Sequence, residues 1–213
     1  MHFYRTLEEA GLPLPKLTVL THWHWDHTFG MHAVHGLCLA NEQTNRYLND
    51  FRKRLAAKGT AFFLEMDDRI HREYTNGRPV VVTLADLVFR DEMLLDAGSC
   101  PVRVSRAKAP HTDDSTLIKV PGEKVLILGD STGGVFSEWT VDPSLAEKLA
   151  HTVEKINPEI CLPGHWTPLS PEITIQDLLE KIRFRKEIYE HENQRINNQQ
   201  FLSCKPLDWE INL

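Results

Sequence analysis

The stretch that decides the fold is Thr21-His22-Trp23-His24-Trp25-Asp26-His27. Its last six residues follow the pattern His-x-His-x-Asp-His, which places three imidazoles and one carboxylate close together in the chain. Neutral imidazole nitrogen and carboxylate oxygen are ligands of divalent metals such as zinc. The competing interpretation, a run of surface polar residues with aromatic spacers, suits an isolated histidine better than this hexapeptide. The motif therefore predicts a metal site.

The position of the motif predicts how its ligands point. Residues 17–20, Leu-Thr-Val-Leu, are typical of a buried strand, so the motif lies where a strand leaves a sheet. In extended backbone His22 and His24 share a face, whereas Asp26 and His27 are neighbours in a turn and diverge. One hexapeptide can thus supply two ions. Two four-coordinate ions that share a water need about seven or eight protein ligands, so others must come from elsewhere.

Three later positions are candidates for the missing ligands. His111 lies between two predicted strands, and His165 follows a third. Asp130 comes directly after a buried strand, where sheets of this kind commonly display functional side chains. A turn or capping role is the alternative for Asp130, because a loop-like Ser-Thr-Gly-Gly follows it.

Periodicity and turn residues divide the rest of the chain into helices and strands. Residues 41–76 predict two amphipathic helices interrupted near Gly59, which either belong to the core or form a lid beside the metal site. His32 and His35 are more typical of exposed or capping histidines than of ligands. The other predicted helices cover 1–10, 28–34, 142–156 and 173–193. The predicted strands cover 37–40, 101–107, 116–120, 125–128 and 159–162. Short strands over 80–107 predict an antiparallel meander, and residues 201–213 form a tail that no pattern assigns.

Composition limits the classes of protein to which the chain can belong. With 213 residues, 41% hydrophobic and 25% charged, it predicts a single soluble domain over 1–200 with a tail over 201–213. The net charge of −6 disfavours nucleic acid as a partner. No apolar run approaches the length of about 20 residues that a membrane-spanning helix needs. Four scattered cysteines and no charged-then-apolar leader favour a reduced, cytoplasmic setting: Cys38, Cys100, Cys161 and Cys204.

The order of the candidate ligands resembles the metallo-β-lactamase-fold hydrolase superfamily. Its signature is His-x-His-x-Asp-His, a mid-chain histidine, Gly-Asp and a late Gly-His, matched here by His22, His24, Asp26, His27, His111, Gly129-Asp130 and Gly164-His165. The resemblance implies an α/β (α+β) fold, a four-layer αβ/βα sandwich. It also implies that one ion is bound by His22, His24 and His111 and a second by Asp26, His27 and His165, with Asp130 bridging both.

The resemblance also implies a reaction. Two divalent ions, zinc with iron or manganese as alternatives, would share a hydroxide that attacks the acyl carbon of an ester, thioester or lactone, with Asp26 orienting the nucleophile. Glyoxalase II-type thioesterases and lactonases share an all-His/Asp ligand set, whereas secreted β-lactamases place a cysteine at the position of Asp130. We expect a small-molecule substrate, and the chain leaves a homo-oligomer open. A metal-binding protein that is catalytically weak and works with a partner is one alternative, and a phosphodiesterase or nuclease is another.

Three features of the sequence qualify this expectation. Asp113-Asp114 replaces the Pro-Gly that members commonly carry after the third histidine, and these aspartates are expected to be solvated or capping. Trp23, Trp25 and Trp166 adjoin the ligands and either line an acyl pocket or pack the ligand loops, the second being favoured. The chain also starts after the β-hairpins that usually precede the first helix, so one sheet is expected to lack edge strands.

Overall fold

Two β-sheets form the middle of the computed structural model, which describes residues 2–136 and 139–183. The first sheet has the order β1-β2-β3 and is parallel throughout: β1 (Leu17–Val19), β2 (Leu37–Asn41) and β3 (Leu87–Phe89). The second sheet runs β4-β5-β6-β7-β8 and is antiparallel except for its last pair: β4 (Glu92–Asp96), β5 (Pro101–Ala107), β6 (Ser115–Val120), β7 (Val125–Gly129) and β8 (Ile160–Pro163).

Helices lie on the outer faces of both sheets. The described helices are α1 (His2–Glu9), α2 (Trp25–Thr28), α3 (Glu42–Lys58), α4 (Ala61–Leu64), α5 (Asp68–Glu73), α6 (Pro143–Ile156) and α7 over 171–183, with 3₁₀ turns at Met31–Ala33 and Pro121–Glu123. Side-chain oxygens that accept hydrogen bonds from the first backbone N–H groups begin three of the helices: Asn41 before α3, Asp67 before α5 and Asp142 before α6. Gly59, at φ 75°, ends α3.

Alternation along the strands sorts the core into three clusters. In β7, Leu126 and Leu128 face α6 and α7, whereas Ile127 packs between the two sheets. In β2, Leu39 lies between the sheets and Ala40 faces α3, α4 and α5. Because successive side chains of a strand point to opposite faces, both sheets bury apolar residues on both sides. The order is therefore helix, sheet, sheet, helix, which confirms the predicted αβ/βα sandwich.

Three predicted elements were wrong. The helix over 28–34 is instead the short α2 followed by a 3₁₀ turn, and the Thr28 hydroxyl donates back to the carbonyls of Trp23 and His24. Residues 80–83 form no strand, because Val80 and Val82 pack into the aromatic cluster above the first sheet. The meander begins only at β4, since β3 pairs in parallel with β2.

Other predictions concern the ends of elements and the compartment. Residues 41–76 fold as three helices rather than two, because the segment after Gly59 is divided into α4 and α5. The predicted helix over 173–193 begins at 171, and its part beyond 183 lies outside the described residues, as do the tail over 201–213 and Cys204. Among the described residues, Cys38, Cys100 and Cys161 are free thiols, and no helix is long and apolar enough to cross a membrane. The cytoplasmic setting stays a prediction.

Phe51 is the centre of the aromatic cluster that attaches α3 and α4 to the first sheet. Its side chain is 2% exposed, and its ring centroid lies 5.4 Å from that of Phe29 and 5.5 Å from that of Phe63. We expect Phe51→Ala to lower the free energy of unfolding by about 3–5 kcal/mol, because it removes buried contacts and leaves a cavity. Urea denaturation measures the change. Phe3→Ala, at a 63% exposed position, is the matched control and should change stability by less than about 0.5 kcal/mol. A Phe51→Ala loss as small as that of the control would contradict the assignment of this cluster to the core.

Candidate metal centre

The motif lies at the edge where the two sheets meet. Leu20 N donates to Leu39 O at 2.9 Å, which continues the first sheet by one residue, and Thr116 N donates to Thr21 O at 2.7 Å. This second hydrogen bond joins the end of β1 to the start of β6. Because β7 and β8 end at the same edge, the loops that follow them approach the motif.

Three buried histidines form the first cluster. His24 Nδ1 lies 3.0 Å from His22 Nε2 and 2.9 Å from His111 Nε2. All three side chains are buried, and their ring nitrogens converge on one point. This is the predicted first ligand set.

Two carboxylates and two histidines form the second cluster. His165 Nε2 lies 3.2 Å from Asp26 Oδ2 and 3.2 Å from Asp130 Oδ2. His27 Nε2 lies 3.4 Å from the same Asp130 oxygen and 3.2 Å from His165 Nε2. Asp130 Oδ2 is also 3.8 Å from His111 Nε2, so this carboxylate touches both clusters.

Hydrogen bonds behind the clusters set which ring nitrogens face inward. His111 donates from Nδ1 to Gly134 O at 2.6 Å, which leaves its Nε2 lone pair directed into the first cluster. Thr21 Oγ1 lies 3.2 Å from His22 Nδ1 and 3.3 Å from His27 Nδ1. When both rings donate to this oxygen, their Nε2 atoms likewise carry lone pairs toward the site. One threonine thereby orients one ligand of each cluster.

Burial keeps the first cluster in the form that binds metals. Desolvation lowers the pKa of His24 to about 3, with a further lowering from His111. Burial and the neighbouring histidines also lower the pKa of His22 well below its usual value, and burial lowers the pKa of His111. Imidazoles that stay neutral at pH 7 can bind a cation without first losing a proton.

The second cluster carries charge. Burial opposes ionisation of Asp130, but the hydrogen bond from His27 and the nearby His165 and His111 lower its pKa on balance. Burial disfavours protonated His27, yet Asp130 and Asp26 raise its pKa overall. The two carboxylates that favour positive charge on His27 would equally favour a metal cation at this position.

The donor set fits a pair of divalent metal ions. In the described residues, Asp130 Oδ1 is buried and has no hydrogen-bond partner, which is costly for a carboxylate oxygen unless a cation satisfies it. The ligand atoms within each cluster lie within 4.8 Å of one another, and together they comprise five imidazoles and two carboxylates. Imidazole and carboxylate ligands suit zinc, iron and manganese.

Two glycines explain the Gly-Asp and Gly-His parts of the sequence pattern. Gly129 has φ 52°, and a Cβ there would lie 2.6 Å from Thr21 Cβ. A Cβ on Gly164 would overlap Asp130 Oδ1 and approach His27 Cε1 to 3.3 Å. Both positions therefore need a residue without a side chain, since the backbone passes directly against the ligands.

A cavity of about 510 Å³ opens onto both clusters. Trp25 and Trp166 line it, and Trp166 is 79% exposed, whereas Trp23 packs against Tyr47 and Phe51. The prediction of packing thus holds for Trp23 and fails for Trp166.

Sequence reasoning missed Trp139, Arg69 and Lys181 in the cavity wall, because no local pattern marks them. Arg69 and Glu73 come from α5, so the 41–76 segment shapes the cavity, and its movement as a lid stays a prediction.

The remaining polar candidates lie outside the clusters. His32 and His35 bond to backbone carbonyls, as expected of histidines that are not ligands. Asp113 accepts from Tyr47 at 2.7 Å. Asp114 is fully buried and accepts from Thr44 at 2.7 Å and from Thr112 at 2.6 Å. The expectation that Asp114 is solvated was wrong, because this carboxylate joins α3 to the loop that carries His111.

A four-layer sandwich with paired His/Asp clusters at one edge defines a class of metal-dependent hydrolases. The family model described as the metallo-beta-lactamase superfamily matches residues 6–165, and the chain belongs to this superfamily. No curated protein matches the chain by sequence.

Solved structures agree on the fold. DIM-1 metallo-beta-lactamase exposed to ceftazidime is similar at TM-score 0.59 and 15% identity, over 86% of this chain and 74% of that one. A metallo-beta-lactamase family protein from Thermus thermophilus is similar at TM-score 0.58 and 18% identity, over 89% and 67%. An archaeal superfamily protein from Sulfolobus tokodaii is similar at TM-score 0.55 and 19% identity, over 96% and 74%.

The close approach at Gly164 predicts the effect of adding one methyl group. Gly164→Ala should displace Asp130 and weaken metal binding about 10- to 100-fold, since misplaced ligands and their supports typically cost this much affinity. Competition with a chromogenic chelator measures the affinity. Gly122→Ala is the matched control, because its φ is ordinary and a Cβ there meets nothing within 4 Å. Equal affinities for the two variants would show that the overlap is relieved without moving Asp130.

Proposed function

We propose that this protein is a hydrolase that uses two divalent metal ions, zinc in the first instance, to cleave an ester, thioester or lactone of a small molecule. The observation that carries the proposal is the position of Asp130. Its Oδ2 lies within 3.8 Å of nitrogens from both clusters, at the wall of a cavity of about 510 Å³. A carboxylate with two oxygens can bind two cations at once, which an imidazole cannot.

The residues divide between the two ions as the family pattern implies. His22, His24 and His111 would hold one ion, Asp26, His27 and His165 the other, and Asp130 both. When bound, such a pair supplies Lewis acidity and lowers the pKa of water toward ~7, so that hydroxide is available at neutral pH. Five imidazoles and two carboxylates favour zinc over magnesium or calcium, which prefer all-oxygen sites.

We assign the proton transfer to Asp26. Its carboxylate lines the cavity, is about one-third exposed and has its Oδ2 3.2 Å from His165 Nε2. An oxygen of this carboxylate can accept a hydrogen bond from the attacking water and hold its lone pair toward the acyl carbon. As the acyl C–O or C–S bond breaks, the same carboxylate can take this proton from the nucleophile and pass it to the leaving oxygen or sulfur, which leaves the acyl group as a carboxylate. Asp26 thus balances the reaction without a separate base.

The cavity wall suits a small acyl substrate. Trp25 and Phe136 line the cavity, and the Phe136 ring centroid lies 5.5 Å from that of His24, whereas Trp166 is 79% exposed. Binding cavities of roughly 300–1,000 Å³ typically hold small molecules, and this one falls within that range. These features support a small acyl compound over a polymeric substrate.

The test compares metal content with turnover. Protein purified without chelator is assayed by elemental analysis and with a panel of thioesters, lactones and aryl esters, before and after metal removal. We expect about two metals per chain, loss of turnover on chelation and recovery on adding zinc. His24→Ala should lose the metal of the first cluster and most of the turnover, because His24 Nδ1 contacts both other ligands. His151→Ala, at an exposed histidine near Glu154, is the control and should retain both.

Different failures have different meanings. Two bound metals with no turnover above the metal-free protein would favour a metal-binding protein that works with a partner. Turnover confined to a phosphodiester such as bis(4-nitrophenyl) phosphate would favour the nuclease-type alternative. Recovery with iron or manganese but not zinc would correct only the identity of the metal.

A further inference from the structure

Two cationic side chains line the cavity although no metal ligand needs them. Arg69 comes from α5 and Lys181 from α7, elements far apart in the chain. Each is held by a carboxylate: Asp67 for Arg69 and Asp177 for Lys181. Neither aspartate belongs to the described cavity wall; Glu73 does, but its carboxylate forms an ion pair with Arg78. The two aspartates therefore position the cationic side chains from outside the cavity wall, and the cationic side chains themselves line the cavity.

The geometry of Arg69 leaves part of its guanidinium free for a ligand. Its Nε and Nη2 donate to the two oxygens of Asp67 at 3.0 and 2.9 Å. Among the described residues, no hydrogen bond uses Nη1 of Arg69. A guanidinium fixed along one edge by a bidentate ion pair presents its remaining donors with little loss of side-chain entropy.

Trp139 supports the same guanidinium from its face. The Arg69 carbon Cζ lies 5.2 Å from the centroid of a Trp139 ring, a cation–π distance. Trp139 has φ 54°, in the left-handed region, and its N donates to Val135 O at 2.8 Å. For a bulky residue such a backbone conformation is unfavourable. Trp139 nevertheless presents a half-exposed indole in the cavity wall beside Arg69.

The two cations differ in how much of each is free for a ligand. Arg69 lines the same cavity as Asp26 but belongs to neither metal cluster. The pKa of Arg69 is raised mainly by its hydrogen bond to Asp67, so the guanidinium stays charged. Lys181 is less available, because its Nζ already donates to Thr132 O at 2.9 Å and to Asp177 at 2.5 Å.

We infer that Arg69, supported by Trp139, determines specificity by binding an oxyanion of the substrate, a carboxylate or a phosphate, at the end remote from the scissile acyl bond. Lys181 adds a second, weaker positive charge. The substrate class is therefore an anionic acyl compound rather than a neutral one. The reaction in this inference rests on the proposed hydrolase function, whereas the negative charge of the substrate is inferred from Arg69 alone.

The test uses three thioesters of one thiol that differ only at the remote end of the acyl chain. The acyl groups are pentanoyl, glutaryl and 4-phosphonobutanoyl, which end in a methyl, a carboxylate and a phosphonate. The metal-loaded protein should prefer one or both anionic thioesters over the pentanoyl thioester by about 10- to 100-fold in kcat/KM, the range expected for a charge-assisted hydrogen bond. Which anion is preferred distinguishes a carboxylate from a phosphate substrate.

Substitution then assigns the preference to a residue. Arg69→Gln should bring the ratio of anionic to neutral kcat/KM close to one, chiefly through KM, and Lys181→Gln should lower it only a few-fold. Arg72→Gln is the matched control, since Arg72 is an exposed arginine on the same helix that does not border the described cavity. The control should keep the ratio of the unsubstituted protein.

A binding measurement separates this inference from the proposed reaction. Glutarate should bind the metal-loaded protein in isothermal titration calorimetry and quench tryptophan fluorescence, and its affinity should fall at least tenfold in Arg69→Gln. Glutarate binding of that kind without turnover of any thioester would overturn the thioester reaction but support the anion site. Turnover with equal kcat/KM for all three thioesters, or an Arg69→Gln effect equal on all three, would overturn the anion site and leave the hydrolase function intact.

Discussion

The largely buried carboxylate of Asp130 is the constraint on which the site depends. It accepts from His27, approaches His165 and His111, and keeps one oxygen without a protein partner among the described residues. An ionised carboxylate in such a place is unfavourable unless positive charge surrounds it. Of the neighbouring imidazoles, His27, despite its burial, has its pKa raised by the carboxylates around it. Two bound cations would supply more positive charge and would therefore stabilise this arrangement.

The fold produces this arrangement by bringing three strand ends to one edge. The hydrogen bond from Thr116 to Thr21 fixes the first sheet against the second, and the Thr21 side chain then orients His22 and His27. Gly129 and Gly164 allow the backbones after β7 and β8 to pass close to that threonine and to Asp130. The candidate ligands therefore come from the ends of strands, whereas much of the cavity wall comes from helices and loops, such as Arg69 on α5 and Lys181 on α7.

The sequence identified the side chains that come together because their pattern is local. His-x-His-x-Asp-His lies within six residues, and His111, Asp130 and His165 each follow or separate predicted strands. All seven candidate ligands were therefore named before any tertiary information, and the structure brings them into two clusters. The αβ/βα sandwich followed from the same residues through the family resemblance. Residues 80–83 have the composition of a strand, yet tertiary packing places them against α3–α5, an outcome that strand propensity does not encode. Asp114 likewise became buried because Thr44, 70 residues away in the chain, supplies its partner.

The cavity wall illustrates why net charge does not determine recognition of small molecules. The chain carries a net charge of −6, which argues against binding a polyanion over a broad surface. Inside the cavity the balance is different: two carboxylates belong to the proposed ligand set, and two divalent cations would more than neutralise them. The third carboxylate in the wall, that of Glu73, forms an ion pair with Arg78. Arg69 and Lys181 add positive charge whose counter-ions, Asp67 and Asp177, lie outside the wall. Electrostatic energy falls with distance and with screening, so a small anion in this cavity is influenced by the nearby cations far more than by distant surface carboxylates. An acidic protein can therefore contain a site that selects anionic substrates.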